Sequence, residues 1–303
     1  MIMPRDRMDG PGEEGLPHIG DLRRLVRELT AARLAEPKPE LGGLTPEQLV
    51  QLVLTAWHAA ESPLRLSHEL ELRDLGSATL FLNCRMFLTS VATAGDVRAT
   101  QAGNLNRAFV SQMLEQIRMP EKEKDLIRKL NRALNEECIG DVHTVRVVCE
   151  CAGLVRRVKG RFRVVKKRQY LLPDEKAGEL FRTLFIAYFQ RFNMAYRDGF
   201  ISCPGLQRSV AYSLYRLRDV AREWIAVEGL GELILLPPVL AEMEEALKAW
   251  GGASMMLCYR LLQPLRGFGL LDVRVKSSGG VHEDITHVRV SRLFERFLSF
   301  AVD

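Results

Sequence analysis

The chain has 303 residues, 47% of them hydrophobic, with 43 Lys and Arg against 38 Asp and Glu, a net charge of +5 and a pI of about 8.9. That length holds two or three packed units at roughly 100–200 residues each, and the composition is that of a globular protein. No run nears the roughly 18 apolar residues that span a bilayer, MIMPRDRMDGPGEEG lacks a signal-peptide core, and the six cysteines are scattered, so a cytoplasmic protein with no membrane partner is expected.

Residues 1–15 are polar and rich in Gly and Pro, and are expected to lack fixed structure. A helix is predicted from Leu16 to Ala35, with leucines on one side and Arg23, Arg24, Arg27 and Arg33 around them, followed by a linker from Pro37 to Gly43. Thr45-Pro46-Glu47-Gln48 joins an N-cap to a proline at the first helical position and opens a helix to about Ala60, broken at Ser62-Pro63. Leu75 to Ala92 reads as a helix with a wide apolar face. Ala94 to Leu105 reads as a short strand and turn, Asn106 to Ile117 as a helix, and Glu121 to Glu136 as a charged amphipathic helix.

Asp141 is placed to cap a helix whose Val142, Val145, Val148, Cys149 and Ala152 make one apolar stripe, and Gly153 ends it. Leu154 to Lys159 turns at Gly160 and returns as Phe162 to Val165, two β-branched-rich runs around a glycine that signal a hairpin. Between Leu154 and Arg168 stand eight Lys or Arg and no acid. The order helix, glycine, strand, basic turn, strand, helix resembles the bacterial winged-helix superfamily, a variant of the helix-turn-helix class that lays a helix in the DNA major groove. The resemblance implies that the helix from Val142 to Ala152 is the recognition helix, approaching a groove through His143 and Arg146, and that the hairpin from Arg156 to Arg168 is the wing. The outward positions of that helix are read as His143, Arg146 and Glu150, which offer few amide or hydroxyl groups for base edges.

Pro173-Asp174 starts a helix from Glu175 to about Tyr196 with Phe185, Tyr188, Phe189, Phe192 and Tyr196 at helical spacing, a stripe read as core rather than as a base-stacking platform. Leu206 to Val227 and Val239 to Trp250 are further predicted helices. Met255 to Arg266 then repeats the central pattern: helix, Gly269-Leu270-Leu271, strand Asp272 to Lys276, turn Ser277 to Gly280, strand Thr286 to Val290, and a terminal helix Arg292 to Phe300. Val97 to Thr100 reads as a degenerate third copy. The expected class is mainly α with short β-hairpins, tandem winged-helix-like units joined by a helical block. Its divisions are 1–43 (flexible N-terminus and basic helix), 44–120 (N-terminal helical unit), 121–173 (central winged helix with basic wing), 174–250 (helical block) and 251–303 (C-terminal unit).

Phosphate loops, nucleophile elbows and dinucleotide fingerprints are absent, so no catalytic residue, metal or cofactor is assigned. Cys138, His143, Cys149 and Cys151 have no standard zinc spacing, and His282 and His287 are five apart where a zinc helix needs four. The expectation is a non-catalytic DNA-binding protein, either a regulator or a nucleic-acid-binding subunit of an assembly, with double-stranded DNA as its partner. Its contacts are His143, Arg146, Arg156, Arg157, Lys159, Arg161, Arg163, Lys166, Lys167 and Arg168. The alternative is a helical interaction or scaffold protein whose winged-helix units dock on a protein partner, or on a second copy through the helical block.

Overall fold

A computed structural model describes residues 35–196, 199, 202–247, 253–277 and 283–302. The segment expected to be flexible over residues 1–15, nearly all of the helix expected from Leu16, the expected Gly251-Gly252 separator, most of the expected Ser277 to Gly280 turn, and His282 lie outside the described residues. The chain divides into two units, 1–49 and 50–303.

In the first unit, a 3₁₀ turn over Pro39–Leu41 closes at Gly42, whose φ is +69°. Thr45 and Gln48 then form a reciprocal capping box: the Thr45 N–H donates to Gln48 Oε1 at 2.8 Å and the Gln48 N–H to Thr45 Oγ1 at 3.1 Å. This opens α1 (Pro46–Leu54), which runs across the division between units and ends short of the expected Ala60.

The second unit is mainly helical with short antiparallel sheets. After β1 (Leu64–Leu66), one run of elements occurs twice. The first copy is α2 (Thr79–Thr93), β2 (Val97–Arg98), α3 (Arg107–Gln116), α4 (Glu121–Leu130), α5 (Gly140–Cys151), β3 (Val155–Val158) and β4 (Arg161–Val164). Then come α6 (Ala177–Gln190) and α7 (Pro204–Arg208). The second copy is α8 (Val210–Val220), β5 (Ile225–Ala226), α9 (Leu230–Ile234), α10 (Pro237–Leu247), α11 (Ala253–Leu257) continuing through a π turn into α12 (Gln263–Gly267), β6 (Leu271–Ser277) and β7 (Glu283–Val290). The sheets share one order, β2-β4-β3 and β5-β7-β6.

The two copies also share a helix ending. At Gly153 (φ +67°) the N–H donates to Glu150 O at 2.9 Å and the Leu154 N–H to Cys149 O at 3.0 Å. At Gly269 (φ +72°) the N–H donates to Arg266 O at 2.8 Å and the Leu270 N–H to Leu265 O at 2.9 Å. This paired bonding is the Schellman motif, and the left-handed conformation it requires favours glycine.

Val97–Arg98 is therefore the first strand of the first copy rather than a third copy, and the boundary expected at residue 120 would part β2 from the β4 strand it pairs with. Its counterpart β5 lies inside the helix expected from Leu206 to Val227. That helix ends at Val220, and the Val290 N–H donates to Ala221 O at 2.8 Å and the Val227 N–H to Thr286 O at 2.9 Å. A two-residue strand has no periodicity of its own, and an edge elsewhere in the chain decides it. Likewise the last helix, α13 (Arg292–Phe297), stops short of Phe300, because β8 (Leu298–Phe300) pairs antiparallel with β1.

Helix α6 joins the copies. Phe181 packs edge-on to Phe81 of α2 at 5.4 Å and to Phe297 at 4.7 Å, while Phe185 meets Phe268 at 5.3 Å, Phe297 at 5.0 Å and Trp57 at 5.7 Å. Edge-to-face rings add to the hydrophobic gain of burial. The predicted aromatic stripe is core from Phe185 to Phe192, whereas Tyr196 is half exposed.

Candidate nucleic-acid interface

The register of the first sheet sorts its side chains. Val97, Val155, Phe162 and Val164 point inward and are buried. Arg156 stands opposite Arg163 and Arg98 opposite Arg161, all four exposed on the outer face. Like charges directly across strands repel. Asp96, just ahead of β2, offsets part of that repulsion, lying 2.6 Å from Arg161 Nη1 and 2.9 Å from Arg163 Nη2. Hydrogen bonds from Arg161 and Arg163 hold its carboxyl below the ordinary value, so it remains ionised at neutral pH.

The hairpin turns through Lys159 and Gly160, with φ +48° and +71°. Positive φ at both central residues is the type I′ geometry that matches strand twist, and it sets exposed Lys159 at the tip. Lys166, Lys167 and Arg168 follow, exposed on a 3₁₀ segment, Lys166–Leu171. Arg157 behaves differently: its guanidinium crosses the turn at Gly103 (φ +89°), where a Cβ would overlap it.

His143 and Arg146 do not face outward. Both are buried, at 6% and 8% exposure, against a fully buried Glu136. Arg146 Nε donates to Glu136 Oε1 at 2.6 Å, His143 Nδ1 lies 2.7 Å from the same oxygen, and the Leu105 N–H donates to Oε2 at 2.6 Å. Arg146 also pairs with Glu150 and sits 5.4 Å above the Phe162 ring; His143 stacks on Tyr196. Burial pushes the Glu136 carboxyl up, but bonds from His143, the Leu105 N–H and Arg146 outweigh it and leave the group below its ordinary value. Within α5 only Asp141 is exposed, and it is a first-turn residue rather than the cap, which is Ile139. The expectation of outward-facing His143 and Arg146 is corrected because a charged helical residue facing a buried counter-charge has the same spacing as one facing solvent. Nothing near residue 143 announces Glu136 as the partner.

Sequence reasoning also missed Asp96 and Arg98, which reach the hairpin through strand pairing alone. On the second sheet the arginines are used internally: Arg274 and Arg289 lie 4.3 and 4.9 Å from the Trp224 ring, and Arg289 is 2.8 Å from Asp272. Among the described residues no group of three or more His, Cys, Asp or Glu is arranged to hold a metal, and Cys149 faces Cys84 instead, its thiol pushed up by burial. No helix among them is long and apolar enough to cross a membrane.

No curated protein and no solved structure matches the chain. A family model described as the Y4jL N-terminal domain matches residues 76–178, from the loop ahead of α2 to the start of α6, a span that contains the first copy.

Proposed function

We propose that the protein is a non-catalytic DNA-binding protein built on two winged-helix-like units, holding the phosphate backbone of double-stranded DNA on the outer face and tip of its first sheet. The carrying observation is the paired exposure of Arg98, Arg156, Arg161 and Arg163, continued by Lys159, Lys166, Lys167 and Arg168. Stacked like charges cost stability in an unliganded sheet, and a polyanion offsets them while its counterions are released. In each copy a helix and a short strand, then three helices, then a two-stranded hairpin, with the first strand beside the last, support the winged-helix reading, the extra helix being an insertion into that order. With His143 and Arg146 buried, binding is carried by phosphate and is weakly sequence-selective.

Coverage of α5 favours a second reading, in which the units are docking modules for an acidic protein partner. Fluorescence anisotropy of labelled duplex and single-stranded DNA over a salt series separates the two. We expect duplex binding whose log–log salt slope is about 0.9 per phosphate contacted. Replacing Arg156, Arg161, Arg163, Lys166 and Lys167 by Gln should abolish it without unfolding the protein. Asp96→Asn, by freeing two arginines, should strengthen it severalfold. Absence of binding to either DNA at low salt rejects the DNA reading.

A further inference from the structure

Beside the hairpin lies a groove of about 540 Å³, within the size range of small-ligand sites and far larger than a lone phosphate. Arg182 of α6, Arg191 just beyond it, Arg168 and Tyr170 of the 3₁₀ segment, and His58 and His68 from loops near β1 line it. Glu179 also faces the groove, ion-paired with Lys176, and Arg191 Nη1 donates to Cys151 O at 3.4 Å, so the lining sets three guanidinium groups against one carboxylate.

Two details point to an occupant. Arg182 Nε is buried without a hydrogen-bond partner, a costly state for a charged donor. Tyr170, at the same groove, is 52% exposed, a flat ring left open next to cations. Guanidinium groups suit phosphate oxygens, and an open ring suits stacking on a base.

We propose that this groove binds a mononucleotide, its phosphate held by Arg182 with Arg168 and Arg191 and its base laid on Tyr170. The inference goes beyond the hairpin reading: the groove shares Arg168 with that surface, but Arg156, Arg161, Arg163, Lys166 and Lys167 do not line it. The occupant is a free nucleotide or the 5′-phosphorylated terminal nucleotide of a longer chain.

Isothermal titration of the full chain with adenosine 5′-monophosphate, inorganic phosphate and adenosine tests it. The nucleotide should bind at least tenfold tighter than either fragment. Arg182→Gln should weaken it roughly 10- to 100-fold. Tyr170→Ala should weaken the nucleotide about tenfold while leaving phosphate unchanged. The variant with Arg156, Arg161, Arg163, Lys166 and Lys167 replaced by Gln should bind the nucleotide normally even if it loses DNA, which keeps this test separate from the hairpin's. If Arg182→Gln loses its far-UV circular dichroism, Arg168→Gln and Tyr170→Ala, both at exposed positions, carry the test. No heat with the nucleotide, or wild-type affinity in the folded variants, overturns the proposal. A 5′-phosphorylated oligonucleotide that outbinds its unphosphorylated form and is displaced by the nucleotide identifies a chain end as occupant; equal affinity of the two, with the nucleotide still bound, identifies the free nucleotide.

Discussion

Glu136 shows how one buried carboxylate can organise a helix face. It accepts hydrogen bonds from Arg146 Nε and the Leu105 N–H, with His143 Nδ1 2.7 Å away, tying α5 to the segment after β2. Removing one partner of a buried pair is costly because the other charge stays buried, so Glu136→Gln should destabilise the protein by about 3 kcal/mol at neutral pH in urea unfolding. The folded-state pKa lies below the ordinary value of 4.5, so the contribution is fully present above that pH and is lost as pH falls through the folded value. The gap between wild type and Glu136→Gln should therefore narrow as the pH is lowered below 4.5; a constant gap would show that the carboxylate's charge is not what matters. Little of this was legible beforehand. The spacing of His143 and Arg146 suggests outward groups that approach a groove, but polarity alone does not tell which side of a helix meets its counter-charge, and both are buried against Glu136.

At the scale of elements, the two Schellman endings offer a controlled comparison. Both Gly153 and Gly269 hold left-handed φ, which costs a residue with a Cβ about 1 kcal/mol. A Cβ on Gly153 meets nothing within 4 Å, whereas one on Gly269 meets Ser77 Oγ at 2.8 Å and the Ala78 N at 3.1 Å. Gly153→Ala should cost about 1 kcal/mol and Gly269→Ala distinctly more, measured as the shift in urea midpoint with unchanged slope. Equal costs would mean that the approach of Gly269 to the loop before α2 relaxes freely. The glycine-ended helix and hairpin were readable in both copies, since glycine and β-branched runs act locally. The short strand at β2 was readable but its pairing with the hairpin was not, and β5 was read as helix, because two residues carry no alternation and the pairing edge lies far along the chain.

Across the whole second unit, α6 serves as a shared core rather than a linker block. Its Phe185 touches Trp57, Phe268 and Phe297, residues brought from both ends of that unit. Phe185→Ala should cost about 3–5 kcal/mol. Its unfolding, followed by far-UV circular dichroism and by tryptophan fluorescence, should stay coincident, because both copies lose the same cluster. Two separate transitions would show that the copies are independent domains.

By itself the sequence determined what is local: helices of period 3.6, glycine-ended turns, a repeated helix–hairpin order and a concentration of cations between Leu154 and Arg168. Only the tertiary structure decided which of those cations face water, that Asp96 tempers the hairpin, that His143 and Arg146 are committed to Glu136, and that β1 and β8 join. The physical reason is that backbone propensity and apolar periodicity act over a few neighbouring residues. Charge pairing and strand pairing, by contrast, depend on which distant segment supplies the opposite charge or the free edge.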